Sequence, residues 1–312
     1  MILRKFKFPI YLLIIILSVS CSDEEMEATI PEGNILIDIG DSLTAGAGGN
    51  GTTMSSVTSE LLGNEWIVKN MGVGGENSLT IGARQGGIPM YIKESITIPE
   101  SGFFVKIPTG LYSNYNDSNI YPLLQGDAGI NPCYIDNIKC ELIRNNGDYY
   151  IGRIDSSKDL YTTQPGTLIK TSLSNETRGI ATIFIGQNGD YSSPIDFLNQ
   201  IDLFIEHKGD ENVIIITSHV NGTTDLVQPI REKYGNKHID LKEYMSTQAI
   251  YDAIDLGLLP DNGFYPTQED LNGMNNGFAP RSLISDGVHF NAIGYELLGR
   301  LRYEKGIELG YW

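Results

Sequence analysis

Positive charge, cysteine, histidine and long hydrophobic runs are all scarce in this chain. Only 22 Lys and Arg stand against 39 Asp and Glu in 312 residues, a formal net charge of −17. Nucleic acid is therefore excluded as a partner, because phosphate backbones are held by Lys and Arg patches. The excess of carboxylates bears on solubility and on repulsion from anionic surfaces rather than on fold. Three cysteines and four histidines show no Cys-x-x-Cys pair and no clustered His/Cys spacing, so no metal site is expected. Outside the N-terminus no apolar run approaches the roughly 20 residues of a membrane-spanning helix. What remains is an ordinary globular composition, 41% hydrophobic and 20% charged, long enough for a sizeable core.

Residues 1–21 read as a targeting segment. Arg4, Lys5 and Lys7 precede an apolar stretch from Phe8 to Val19, which ends in Ser18-Val-Ser-Cys21. A basic start, a short apolar run and small residues are the pattern of a secretory signal. The stretch resembles a bacterial lipoprotein signal, which implies lipidation of Cys21 and an outer-membrane lipoprotein anchored by its lipid. Leu17 stands one place further from Cys21 than in the usual motif, and Ser18-x-Ser20 also suits ordinary cleavage. Residues 22–32 are acidic and without helix or strand pattern, and read as a solvated tether.

From residue 33 onward, strands alternate with helices. The strands are 34–39, Trp66–Asn70, Ala181–Ile185, Val213–Ser218 and His238–Leu241. The helices are near Thr53–Leu62, Pro194–His207, Thr224–Tyr234, Glu243–Leu256 and Ala292–Glu304, the last capped by Asn291. Such alternation indicates βαβ units and a mostly parallel sheet. Residues 88–178 interrupt it with tyrosines at 112, 115, 121, 134, 149, 150 and 161, Asn-Gly turns and short alternating runs at Phe103–Ile107, Cys140–Arg144 and Tyr149–Ile154. A β-rich insertion between the second and third parallel strands is expected. Its tyrosines suit hairpin packing, or an aromatic platform for a sugar. Asp136-Asn137 predicts a two-residue hairpin that sets Cys133 opposite Cys140 at a hydrogen-bonded pair, where a disulfide is strained. Export permits that bridge, so both redox states stay open. Leu259–Arg281 reads as a long loop of functional type.

Four short blocks carry chemistry. Gly40-Asp-Ser-Leu43 ends the first strand, where open α/β sheets place ligands. Ser42 is there as a nucleophile or as a helix N-cap. Asn70-Met-Gly-Val-Gly-Gly75 follows the second strand as an oxyanion turn or a plain tight turn. Gly186-Gln-Asn188 follows the third, with Asn188-Gly189 also a hairpin dipeptide. Asp286-Gly-Val-His289 precedes the last helix as an acid–base pair or a capping pair. A serine hydroxyl needs a base, a neutral histidine supplies one, and a carboxylate fixes its tautomer. The oxyanion needs donors, for which the Ser42 and Gly75 N–H groups and the Asn188 amide are available. His219, closing the fourth strand, is read as a loop histidine or a substrate contact.

In order and spacing the four blocks resemble those of the SGNH (GDSL) hydrolases across the whole 33–312 region apart from the insertion. The resemblance implies a three-layer α/β/α flavodoxin-like fold with a mostly parallel sheet. It implies a Ser42–His289–Asp286 triad, an oxyanion hole of Ser42, Gly75 and Asn188, and no cofactor or metal. The aspartate that often follows the third-block Asn is Gly189 here. The expected activity is ester hydrolysis, on O-acetyl or other short acyl esters of carbohydrates. A lysophospholipase or thioesterase of the same fold is the alternative, and a glycan-binding lipoprotein without catalysis is the reading outside enzymes.

Overall fold

The computed structural model describes residues 34–220 and 223–312. The signal segment, Cys21 and the acidic tether lie outside the described residues. Strand β1, Ile35–Gly40, is buried along its whole length, as its run of isoleucines requires of a strand covered on both faces. It pairs in parallel with β2 (Ile67–Gly72) on one side and β3 (Ile180–Phe184) on the other. Beyond β3 lie β4 (Val213–Thr217) and β5 (His238–Asp240), giving the spatial order β5-β4-β3-β1-β2. That is the 2-1-3-4-5 order of flavodoxin-like sheets, in which ligands bind at the carboxyl ends where the order reverses.

Alternate strand residues face opposite layers. Ile35, Ile37, Ile39, Ile183 and Ile215 pack with Ile81, Phe204 and Ile230. These last belong to α3 (Ser78–Gln85), α4 (Pro194–Lys208) and α5 (Thr224–Tyr234). Phe184, Ile214 and Ile216 face the opposite way, toward Met54, Met245, Ile250 and Leu298. Those residues lie on α2 (Met54–Leu62), α6 (Leu241–Thr247), α7 (Ala249–Asp255) and α9 (Ala292–Leu309). The result is a mixed α/β fold with three layers. On the α2/α9 face Asp38 is fully buried beneath Arg302, whose guanidinium also bonds Thr58 Oγ1 and the Met54 carbonyl. Ser55 Oγ donates to the second Asp38 oxygen at 2.6 Å. This paired charge is the only polar content of that face of β1.

Insertion strands run from Met90–Ile92 to Thr167–Ile169, forming two four-stranded sheets and one two-stranded sheet, with antiparallel pairing throughout. Its Ile92, Ile98, Ile135 and Ile151 share one apolar cluster with Ile37 and Ile81, so it is packed onto the α3/α4 layer. The Asp136-Asn137 turn forms as expected, both residues at positive φ, with Cys133 opposite Cys140. Both cysteines are buried free thiols, and burial lifts Cys140 to about 11. Three of its tyrosines are tied down by their hydroxyls: Tyr115 bonds Asp196, Tyr149 the Pro122 carbonyl and Tyr161 Asp136.

Several expected elements come out differently. Residues Glu243–Leu256 do not form one helix; the chain breaks at Gln248, between α6 and α7. The 259–281 segment is not all loop. Thr267 and Asp270 form a capping box that starts α8, Gln268–Asn275. Leu241 begins α6 rather than ending β5, and of Phe103–Ile107 only Val105–Lys106 pairs. Asn188-Gly189 makes no hairpin, because β3 pairs only with β1 and β4.

Candidate functional site

At the carboxyl end of β1, Gly40 has no room for a side chain. A Cβ there would lie 2.1 Å from Thr44 Oγ1 and 2.3 Å from the Phe184 carbonyl. The chain turns at once into the one-turn helix α1, Ser42–Ala45. Its N-cap is Asp41, not Ser42: Asp41 Oδ1 accepts the Leu43 N–H at 2.9 Å. That assignment leaves the Ser42 hydroxyl free for chemistry.

Ser42 Oγ lies 2.9 Å from His289 Nε2, and His289 Nδ1 lies 2.9 Å from Asp286 Oδ2. Asp286 Oδ1 accepts the N–H groups of Val288 and His289, each at 2.7 Å. The His289 ring bond first, then these two N–H bonds, hold its carboxyl well below the usual carboxylate range. An ionised carboxylate only accepts, so Nδ1 carries the proton and Nε2 is left to accept from the serine hydroxyl. The turn bearing this pair is clamped. Ser285 N donates to the His289 carbonyl at 2.8 Å, Ile284 bridges to Phe290, and Asn291 caps α9 through the Gly294 N–H. Asn291 also donates to the Ser282 carbonyl. Asp286 and His289 are thus hydrogen-bonded to each other, and helix capping falls to Asn291.

The donor groups are brought to the same strand ends. Gly75, at φ +80°, adopts a conformation that favours glycine, and among the described residues no acceptor takes its N–H or that of Ser42. The turn is fixed to the end of β1 that carries Ser42 by Val73 N to the Gly40 carbonyl at 3.1 Å. Asn70 adds a second tie, donating to the Thr44 carbonyl and accepting the Gly72 N–H. The Asn188 amide donates to the Glu76 carbonyl at 3.0 Å and stands 3.5 Å from Asp41 Oδ2. Its loop is stitched to the glycine turn by Ser78, whose N–H and hydroxyl both reach the Gly189 carbonyl. All five catalytic and oxyanion positions expected from the sequence therefore meet at one sheet edge.

Three further features had no signal of their own in the sequence. Asp41 is buried beside this site, and burial raises its carboxyl to about 7, against the Leu43 N–H and His289. Glu76 and Arg84 form a fully buried ion pair at 2.9 Å directly under the Gly75 turn. Arg84 also donates to the carbonyls of Met71, Ala128 and Gly40. The third is the insertion loop carrying Ala128: a Cβ on Gly74 would lie 2.2 Å from Gln125 Oε1, and one on Gly75 would lie 3.5 Å from Leu124 Cδ1. The insertion therefore forms a wall against the glycine turn.

His219 lies at the end of β4, ring-to-ring with Phe290 at 4.3 Å, and is 4% exposed. Among the described residues no three His, Cys, Asp or Glu side chains are grouped to hold a metal ion. No protein-family model matches the chain, and no curated protein matches it. A solved structure described as "Peptidoglycan O-acetylesterase in action, 5 min" aligns over 89% of this chain and 91% of that chain. The identity is 13% and the TM-score 0.35. A likeness that distant assigns neither activity nor site.

Proposed function

We propose that this chain is an exported serine esterase of the SGNH (GDSL) type, acting on short acyl esters carried by carbohydrate. One observation carries the reading. Asp286, His289 and Ser42, which are 247 residues apart at their extremes of contact, form an unbroken relay with both links at 2.9 Å. In the reaction, Ser42 Oγ attacks the ester carbonyl as His289 Nε2 takes its proton. The Ser42 and Gly75 N–H groups and the Asn188 amide stabilise the oxyanion. His289 then returns the proton to the leaving alcohol. Water, deprotonated by the same histidine, attacks the acyl-serine and releases the acid and free Ser42. The carbohydrate portion of the reading is supported by the insertion wall beside Gly74, where Gln125 is solvent-facing.

The test is hydrolysis of p-nitrophenyl acetate together with acetate release from acetylated polysaccharides. Ser42→Ala is expected to lower kcat by roughly a thousandfold or more in both assays, with the fold intact. Undiminished turnover in that variant would overturn the assignment.

A further inference from the structure

Outward-facing positions of the insertion gather into one surface. In the hairpin of Cys133–Ile135 and Ile138–Asn145, the side chains of Cys133, Ile135 and Cys140 are buried, so Tyr134 and Lys139 face the other way. Tyr134 stands directly opposite Lys139. Counted from the two-residue turn, that pair makes no ladder hydrogen bond, which is where paired backbones lie closest. The Tyr134 backbone instead bonds the far side: its N–H donates to the Lys170 carbonyl at 2.7 Å, and its carbonyl accepts the Lys170 N–H at 2.9 Å. Directly opposed residues share a face, so Tyr134 has a lysine on each side. Leu168 lies on the same face two residues before Lys170, with Ile169 buried between them. Tyr91, opposite Leu168, and Tyr112, opposite Tyr91, continue it, their rings 5.6 Å apart.

This surface differs from the rest of the molecule in what it leaves unbonded. Most described lysines find a carboxylate, as suits a chain with 39 Asp and Glu. Lys139 and Lys170 are exposed and have neither an ion pair nor a hydrogen bond from their ammonium groups to any described residue. The carboxylates beside them in the chain, Asp136 and Glu141, pair with neither, and Asp136 accepts the Tyr161 hydroxyl at 2.6 Å. The hydroxyls of Tyr115, Tyr149 and Tyr161 are bonded, whereas those of Tyr91, Tyr112 and Tyr134 are not. Beside Tyr134 is a depression of about 420 Å³, lined also by Asp136, Asn137, Leu168, Lys170 and Asn175. The Asn137 carboxamide has no partner among the described residues either.

A ring with a free hydroxyl, a free carboxamide and two free ammonium groups suits a sugar that carries a carboxylate. The ring offers an apolar face to the C–H face of the sugar and a polar tip to its hydroxyls. The carboxamide both donates and accepts, and ammonium-to-carboxylate hydrogen bonds are among the strong ones. An extended acidic peptide is poorly served, because the Tyr134 backbone is already paired and opens no strand edge. An anionic membrane calls for about four to eight clustered basic residues, and the net charge of −17 opposes it.

We propose that this face of the insertion binds an acidic polysaccharide, with Tyr134 beneath a sugar ring and Lys139 and Lys170 on its carboxylates. The site stands apart from the esterase reading. None of Ser42, Gly75, Asn188 or His289 lines the depression, and it holds glycan whether or not Ser42 cuts an ester.

The experiment is calorimetry on the Ser42→Ala protein, in which turnover plays no part. It compares a tetrasaccharide of galacturonic acid with the matching neutral tetrasaccharide of galactose. The acidic sugar is expected to bind about tenfold tighter, the worth of one hydrogen bond to a charged group. That advantage should fade in ~0.5 M salt, which screens exposed charges. Lys139→Gln together with Lys170→Gln should bring the acidic sugar down to the level of the neutral one and leave the neutral one unmoved. Tyr134→Ala should weaken both sugars by about fivefold, since it removes the ring they share. Both lysines are exposed, so the glutamine pair reads the site even where Tyr134→Ala fails to fold. Absence of binding overturns the site, and so does equal affinity for the two sugars. An acidic advantage untouched by the glutamine pair overturns it too. Binding of tetraglutamate as tight as that of the acidic sugar overturns it as a carbohydrate site. Undiminished acetate turnover in Ser42→Ala, with binding of the acidic sugar intact, overturns the esterase and leaves this site standing.

Discussion

The central sheet and the insertion place groups at one site by opposite means. The sheet does so with strand ends: Ser42, Gly75 and Asn188 follow β1, β2 and β3, which are adjacent and in parallel register. Once the sheet forms, those groups have little freedom left. The insertion is made of strands as short as two residues in three small sheets. It reaches the site through a loop, 122–128, held by one carbonyl bond to Arg84 and by contact of Leu124 and Gln125 with the glycine turn. The difference teaches that the sheet sets the positions of Ser42, Gly75 and Asn188 through its strand ends, while the insertion packs a loop beside them.

Two buried arginines test that division with the largest expected effect. Arg302 pairs with Asp38 inside the sheet layer, and Arg84 pairs with Glu76 where sheet and insertion meet. Removing one partner of a buried pair strands the other charge and costs about 3–5 kcal/mol. Arg302→Met and Arg84→Met should both lose stability on that scale in urea titrations. Only Arg84→Met should also lower kcat in the protein that remains folded, because the Glu76 carbonyl aligns the Asn188 amide. An equal loss of kcat in Arg302→Met would break the division.

Acid separates the two regions by a smaller amount. All four histidines lie outside the insertion. Burial lowers His238 from 6.5 to about 4, so between those values the unfolded chain binds a proton that the folded chain refuses. Stability from this group is complete above pH 6.5 and is lost as pH falls toward 4. Asp41 acts in the opposite sense: burial raises it to about 7, so its contribution is greatest below pH 4 and is lost as pH rises to 7. Comparing the protein with His238→Phe cancels Asp41 and every other carboxylate. The gap between the two should change by about 2 kcal/mol from pH 6.5 to 4.5, to the disadvantage of the unaltered protein. Amide exchange should quicken in β4 and β5 before it quickens in Ile138–Asn145. A pH-independent gap would show that His238 titrates normally in the folded state.

The same contrast explains what could be read from sequence. Isoleucine-rich runs such as Ile35–Ile39 and Val213–Ile216 are buried on both faces, so composition alone marks them as strands. Ser42 and Asn188 come within four residues of the ends of such strands, and their positions were legible for that reason, whereas Asp286 and His289 were legible only from their spacing before the last helix. The insertion's hairpins were legible where turn chemistry is strict, at Asp136-Asn137 and Asn146-Gly147, which all adopt positive φ. Nothing local marks Arg84 as buried, because its partners Glu76, Met71, Ala128 and Gly40 are brought together only by the fold. Gln125 is hidden for the same reason. The helix in 259–281 was missed because its glycine and asparagines outweighed the Thr267–Asp270 capping box in a composition-based reading.

Gln125 gives the smallest and most local test. Its carboxamide is exposed, has no hydrogen-bond partner among the described residues, and touches the Gly74 turn through Oε1. If the insertion is a wall for the alcohol side of the substrate, Gln125→Ala removes one polar contact to a carbohydrate and none to the reacting carbonyl. KM for acetylated oligosaccharides should rise about fivefold, near 1 kcal/mol, with kcat almost unchanged. Gly74→Ala would push the same side chain aside, since its Cβ would lie 2.2 Å from Gln125 Oε1. It should therefore raise KM similarly, and the double substitution should cost no more than either alone, the non-additivity expected of residues in contact. Additive effects would mean that Gly74 acts through the oxyanion turn itself. A rise in KM for p-nitrophenyl acetate as large as for the oligosaccharides would mean that the loop supports the reacting centre, and the separation between sheet and insertion would fail at this point.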